Sequence, residues 1–109
     1  MNPTRLANDD APRPRAAATV GDPVDAIDTP SLVVDVDAMR RNLQTLATWA
    51  AARGVALRPH AKMHKSAHIG ALQCAAGAVG LCVQKTSEAE ALVAAGAGGG
   101  PRIADLLVT

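Results

Sequence analysis

Four short apolar runs, at residues 31–36, 55–60, 79–84 and 104–108, recur through this chain. Their spacing of about 24 residues is near the shortest span in which a strand, a helix and a parallel return strand fit. Between them lie stretches of helical period. Met39, Leu43, Leu46 and Ala50 form one stripe, with Asp37 as the expected cap and Gly54 as the stop. Ser66 opens a second helix, with Ile69 and Leu72 as its core face and Gly77 at its end. "TSEAEALVAAG" opens a third on a capping box of Ser87 and Glu90 and ends it at Gly96. Strand alternating with helix is the pattern of an α/β fold on a parallel sheet. The regular repeat favours a barrel succession, a partial (β/α)8 barrel of TIM type truncated after about four strands. A closed barrel takes eight such units and typically ~250 residues. The chain is therefore expected to be the front part of a larger enzyme.

Composition fits that reading and excludes others. Among 109 residues 49% are hydrophobic, yet the one aromatic is Trp49. The core must be built from Ala, Val, Leu and Ile, which suits helices packed closely on a parallel sheet. A net charge of +1 gives no field to recruit nucleic acid, and one aromatic gives no stacking platform for single strands. No apolar run is long enough to span a membrane. Residues 1–28, rich in Pro, Asp and Ala and without period, are expected to be a disordered tail, and they lack the apolar segment of a secretory signal. Cys74 and Cys82 lack metal-ligand spacing and are expected to be buried, reduced thiols of a cytoplasmic protein. The segment "GAGGGP" has Pro101 at the last glycine position of a dinucleotide loop and follows a helix, so it is expected to be a flexible connection.

The chemistry concentrates in "LRPHAKMHKS", residues 57–66. Alternation along a strand puts Ala56, Arg58, His60 and Lys62 on one face, which in a parallel barrel would point inward near the strand end where active sites sit. Pro59 argues for an irregular strand end, because it cannot donate to a ladder. Arg58, Lys65 and protonated imidazoles would disfavour a further positive charge and free the Lys62 amine for Schiff-base chemistry. The same cations would suit a phosphate. His60 and His64, four apart, match metal ligands on a helix rather than on a strand and turn, so no metal ligands are expected here. From the residues alone, a solvated basic turn and a reactive lysine both stay open.

"TPSLVVDVDAMRRNL", "RPHAKMHKS" and "GAVGLCVQKTSEAEALVAAG" together resemble the front of the D-threonine aldolase and D-serine dehydratase family, pyridoxal-phosphate enzymes of fold type III built on the alanine-racemase N-terminal barrel. The combination is most similar to 3-hydroxy-D-aspartate aldolases, and it covers residues 29–109. The resemblance implies that Lys62 carries pyridoxal 5'-phosphate as a Schiff base. His60 and His64 would orient the cofactor or substrate or serve structure; Arg58 would balance cofactor charge or pair with an acid elsewhere; Gln84 would face the cofactor ring or pack. It also implies a lyase cleaving a β-hydroxy-D-amino acid to glycine and an aldehyde, with a D-serine dehydratase-like ammonia-lyase and a non-catalytic cofactor carrier as alternatives. A divalent metal (Mn, Mg or Zn), a homodimer, the phosphate-binding segment and a C-terminal β domain are expected only of the full-length enzyme; the fragment alone is expected to be inactive. The sequence departs from the family's usual pattern at Met63, where Thr is common, and in the length of the Gly-rich stretch.

Overall fold

A computed structural model describes residues 18–109, and the chain divides into two units at Val34 and Asp35. Residues 1–17 of the expected tail, including its Arg-Pro-Arg, lie outside the described residues. The rest of that stretch holds local structure. The Thr19 N–H donates to the Asp22 carboxylate at 2.8 Å, and Val24–Ala26 makes one turn of 3₁₀ helix.

The first expected strand is not formed. Residues 31–34 carry no ladder, and Leu32 is fully exposed. Val36, expected at the end of that strand, is instead the first residue of a helix, α1 (Val36–Ala51). The cap is Asp35 rather than Asp37: its carboxylate accepts from the Ala38 N–H at 2.8 Å and so draws Val36 into the first turn. At the other end Gly54 sits at φ 63, and the Val55 N–H reaches back to the Ala50 carbonyl at 3.0 Å. This is the closure in which a left-handed residue satisfies the last free carbonyls.

Residues 55–60 run beside the sheet but make only a single parallel bridge, His60 to Cys82. The Leu57 and Pro59 carbonyls accept from Val79 and Cys82 at 2.9 and 2.8 Å. Pro59 has no N–H to return, so the ladder cannot propagate through it. The third and fourth expected strands are present in shortened form. β1 (Leu81–Val83) pairs in parallel with β2 (Leu106–Val108), Leu81 opposite Leu106 and Val83 opposite Val108. The helix between them, α3 (Thr86–Ala97), completes a strand–helix–strand crossover. An α/β fold is thus present, with α2 (Ala67–Ala75) packed on the same core.

That core is Ala61, Leu81, Val83, Leu92 and Ile103, with Ala67, Ala71, Cys74, Ala89 and Leu106 against it. The expected core face of α2 is corrected here. Leu72 is exposed, and the buried side carries Ala67, Gly70, Ala71 and Cys74. Without aromatics to fill space, the backbone of α2 must come close: a Cβ on Gly70 would lie 2.6 Å from Leu81 Cδ1. Both cysteines are free and only half-buried.

The start of α3 also differs from expectation. The Glu88 carboxylate, not the Ser87 and Glu90 pair, accepts from the backbone N–H groups of Gln84 and Lys85, at 3.0 and 3.4 Å. The glycine stretch is an ordered helix end rather than a loose connection. Gly99 takes φ 87, and the Gly100 N–H donates to the Ala95 carbonyl at 2.9 Å, so close that a Cβ on Gly100 would lie 2.6 Å from that oxygen.

Candidate functional site

Directly after the His60–Cys82 bridge the chain tightens into a 3₁₀ turn, Ala61–Met63. Buried Ala61 anchors it in the core, and its carbonyl accepts from both His64 and Lys65 N–H, at 3.1 and 2.7 Å. Lys65 pays for that sharp reversal with φ 50, a left-handed conformation unusual for a residue with a side chain. The two histidines act alike. His60 Nδ1 accepts from the Lys62 backbone N–H at 3.2 Å; His64 Nδ1 accepts from the Ser66 N–H at 3.0 Å. A ring nitrogen that accepts carries no proton, so the imidazole N–H of His64 is on Nε2, where it meets the Gln73 amide oxygen at 3.2 Å. Ser66 in turn caps α2, its hydroxyl accepting from the Ile69 N–H at 3.3 Å.

Arg58 does not join this cluster. Its guanidinium makes a two-point ion pair with Asp105, Nη1–Oδ1 2.8 Å and Nη2–Oδ2 2.9 Å. Of the two roles open to Arg58, the structure shows the pairing with an acid elsewhere. The hydrogen-bonded guanidinium holds the Asp105 carboxyl below its ordinary range, and Asp105 raises Arg58 in return. Lys65 is also countered, its Nζ 3.6 Å from the Glu88 carboxylate. Glu88 lies below the usual carboxylate range chiefly because it accepts the Gln84 N–H. Burial pushes the Cys74 thiol up. The two fixed cations expected to act on Lys62 are therefore each matched by a carboxylate, while the exposed Lys62 amine has no ion pair or hydrogen bond among the described residues. Gln84 is exposed just past β1 and engages Glu88 through its backbone.

Sequence reasoning missed Asp105, Gln73 and Gly80. A Cβ on Gly80 would lie 2.5 Å from Arg58 Nη1 and 2.5 Å from the Asp105 carbonyl oxygen. A glycine within an apolar run is a signal of such close approach, and an acid inside the fourth run is a signal of a cationic partner on a neighbouring segment. Among the described residues no group of three or more His, Cys, Asp or Glu could hold a metal ion, and no helix is long and apolar enough to cross a membrane.

The family described as alanine racemase, N-terminal domain, matches residues 34–105. A D-threonine aldolase of an Arthrobacter species is 52% identical over 79 residues, which are 72% of this chain and 21% of that protein. A 3-hydroxy-D-aspartate aldolase of Paracoccus denitrificans is 45% identical over 84 residues, 76% of this chain and 20% of that protein. A D-threo-3-hydroxyaspartate dehydratase of a Delftia species is 47% identical over 70 residues, 64% of this chain and 18% of that protein. Among solved structures, the D-threonine aldolase from Filomicrobium marinum superposes with a TM-score of 0.71 at 56% identity, covering 75% of this chain and 22% of that one. The chain thus spans about a fifth of the length of these relatives. With the match running from α1 through the Lys62 turn to Asp105, the chain belongs to the alanine racemase N-terminal domain family.

Proposed function

We propose that this chain forms the opening strands of a (β/α)8 barrel in a pyridoxal-phosphate-dependent lyase, with Lys62 as the lysine that holds the cofactor. The observation that carries the reading is the state of the three cations around the turn. Arg58 and Lys65 are each committed to a carboxylate, and of these three Lys62 presents an amine without a partner among the described residues. A primary amine in that state fits an aldehyde-bearing cofactor, because it has no ion pair to break before it reacts. When bound, pyridoxal phosphate supplies an electron sink for the bond broken at the substrate Cα. The chain's own part is to fix Lys62 at the end of the 55–60 segment, to keep Arg58 and Lys65 from competing for the cofactor's charge, and to move a proton at Lys62 Nζ as the substrate amine takes its place. Relatives named for D-threonine and for 3-hydroxy-D-aspartate support a β-hydroxy-D-amino acid as substrate and cleavage to glycine plus an aldehyde. A relative named as a dehydratase supports loss of water as the second reading.

The test takes the complete product of the gene. It is equilibrated with pyridoxal phosphate, reduced with borohydride and digested. The label is expected on the Lys62 peptide, with the visible-edge absorbance gone in Lys62→Ala. Label on Lys65, with absorbance retained in Lys62→Ala, overturns the assignment. Assays with D-threonine, 3-hydroxy-D-aspartate and D-serine, with and without divalent metal, then separate the reactions. Glycine as the dominant product supports the aldolase; a keto acid and ammonia establish the dehydratase.

A further inference from the structure

We infer that His60, His64 and Gln73 are positioning residues for Lys62: two neutral imidazoles, each accepting a backbone N–H through Nδ1, tie the turn on either side of it, and Gln73 sets the tautomer of the second. The inference rests on the reading of Lys62 as the reactive lysine. Its geometry is repeated and specific. His60 stands two residues before Lys62 and accepts the N–H of Lys62 itself. His64 stands two residues after Lys62 and accepts the N–H two residues further on, at Ser66. Of the three N–H groups between, those of His64 and Lys65 go to the Ala61 carbonyl. The backbone carrying Lys62 is thus bonded at both ends and in its middle, and the direction of its Cα–Cβ bond is fixed.

Gln73 extends this beyond the turn. It lies on α2, which packs on Leu81 through Gly70, and its amide oxygen faces His64 Nε2. That oxygen can only accept, so it requires a proton on Nε2 and leaves Nδ1 bare for Ser66. A His64 with its proton on Nδ1 would lose both contacts at once. The arrangement gives the second imidazole of the H-x-K-x-H block a task distinct from acid–base chemistry. It relays the rigidity of α2 to the amine that must meet a carbonyl carbon in one orientation, and such orientation carries much of the advantage of a held reactant.

Two readouts on the full chain test this. The first is the nitrogen-15 spectrum of the imidazoles with amide exchange at Lys62 and Ser66. Nδ1 should be unprotonated in both rings, both amides should exchange slowly, and Gln73→Leu should weaken the tautomer preference of His64, leaving only the part held by the Ser66 N–H. The second is the share of pyridoxal-phosphate label that borohydride fixes on Lys62 against Lys65 and Lys85. His60→Ala and His64→Ala should each lower it about tenfold, and His60→Asn and His64→Asn, whose amide oxygens can stand where Nδ1 stood, should restore it to within about twofold of wild type. The inference is overturned by a proton on Nδ1 of the folded chain, by alanine variants that label as wild type does, or by asparagine variants no better than alanine. Indiscriminate labelling by the wild type sinks the cofactor reading instead, and the tautomer and amide exchange then decide the positioning reading alone: slow exchange at both amides sustains it, fast exchange ends it.

Discussion

Arg58 and Asp105 meet through the two terminal guanidinium nitrogens and both carboxylate oxygens, at 2.8 and 2.9 Å, and the backbone of Gly80 lies directly against the pair. Arg58 belongs to the segment that leads to Lys62, and Asp105 directly precedes β2. Between them runs β1, which donates to Pro59 on one side through Cys82 and to Asp105 on the other through Leu81. The pair therefore straps the Lys62 segment to β2 across the strand that separates them.

This strap gives the stability a defined dependence on pH. The Asp105 carboxyl is held below its unfolded value, so its contribution is complete above the ordinary carboxylate range and disappears as pH falls through the lower folded value. The advantage of wild type over Asp105→Asn in urea midpoint should be full at pH 6 and should shrink as pH drops below about 4. It should also weaken in high salt, because both groups are partly exposed. A difference that stays constant down to pH 2 would show that Asp105 acts through packing.

Gly80 and Gly70 should tolerate alanine unequally. At Gly80 the new Cβ meets the Asp105 carbonyl oxygen, which is already bonded to the Leu81 N–H and cannot retreat. At Gly70 the closest atom is the tip of the Leu81 side chain, and alanine also favours the helix by about 1 kcal/mol. Overpacking typically costs about 1–3 kcal/mol. Gly80→Ala should reach the upper part of that range and Gly70→Ala the lower part, as measured by denaturant unfolding.

The sequence made some of this legible and hid the rest for identifiable reasons. Periodicity located α1, α2, α3 and the two paired strands, because each has a face that must be buried. It failed at residues 31–36, since an apolar run has the same composition whether or not a ladder partner is present, and Asp35 captured the end of the run for α1. It overextended the 55–60 strand, although Pro59 carried the warning. The basic turn was legible as a cluster, and within it the family resemblance pointed to Lys62. The acids that neutralise its neighbours were not, because Asp105 and Glu88 come from 47 and 23 residues away and only the crossover brings them near. Cap identity also escaped: Asp35 and Asp37, or Glu88 and Glu90, differ by two positions, and composition does not distinguish them.

The core of α2 offers a sharper check on one such correction. Leu92 is 5% exposed within the central cluster, whereas Leu72 is 36% exposed on the other side of α2. Leu92→Ala should cost about 2–5 kcal/mol, the range for a buried leucine. Leu72→Ala should cost clearly less, since part of its side chain already faces solvent and alanine is the better helix former. Equal losses in urea unfolding would restore the face read from sequence spacing.

The two candidate serine caps can be separated in the same way. The Ser66 hydroxyl accepts from the Ile69 N–H at 3.3 Å and opens α2. Ser87 lies inside the first turn of α3, and it is the Glu88 carboxylate that accepts the N–H groups of Gln84 and Lys85 just before the helix. Ser66→Ala should therefore destabilise by roughly 1 kcal/mol, as a lost N-cap does, while Ser87→Ala should fall within about 0.5 kcal/mol of wild type. Ser66→Asp keeps an accepting oxygen and adds a negative charge at the helix N-terminus, so it should recover the loss. The Ser66 N–H is also the donor to His64 Nδ1. Ser66→Ala leaves that donor in place, so the His64 tautomer in the nitrogen-15 spectrum should survive although α2 is weakened. Loss of the tautomer in Ser66→Ala would mean that the cap, rather than Gln73, holds the ring.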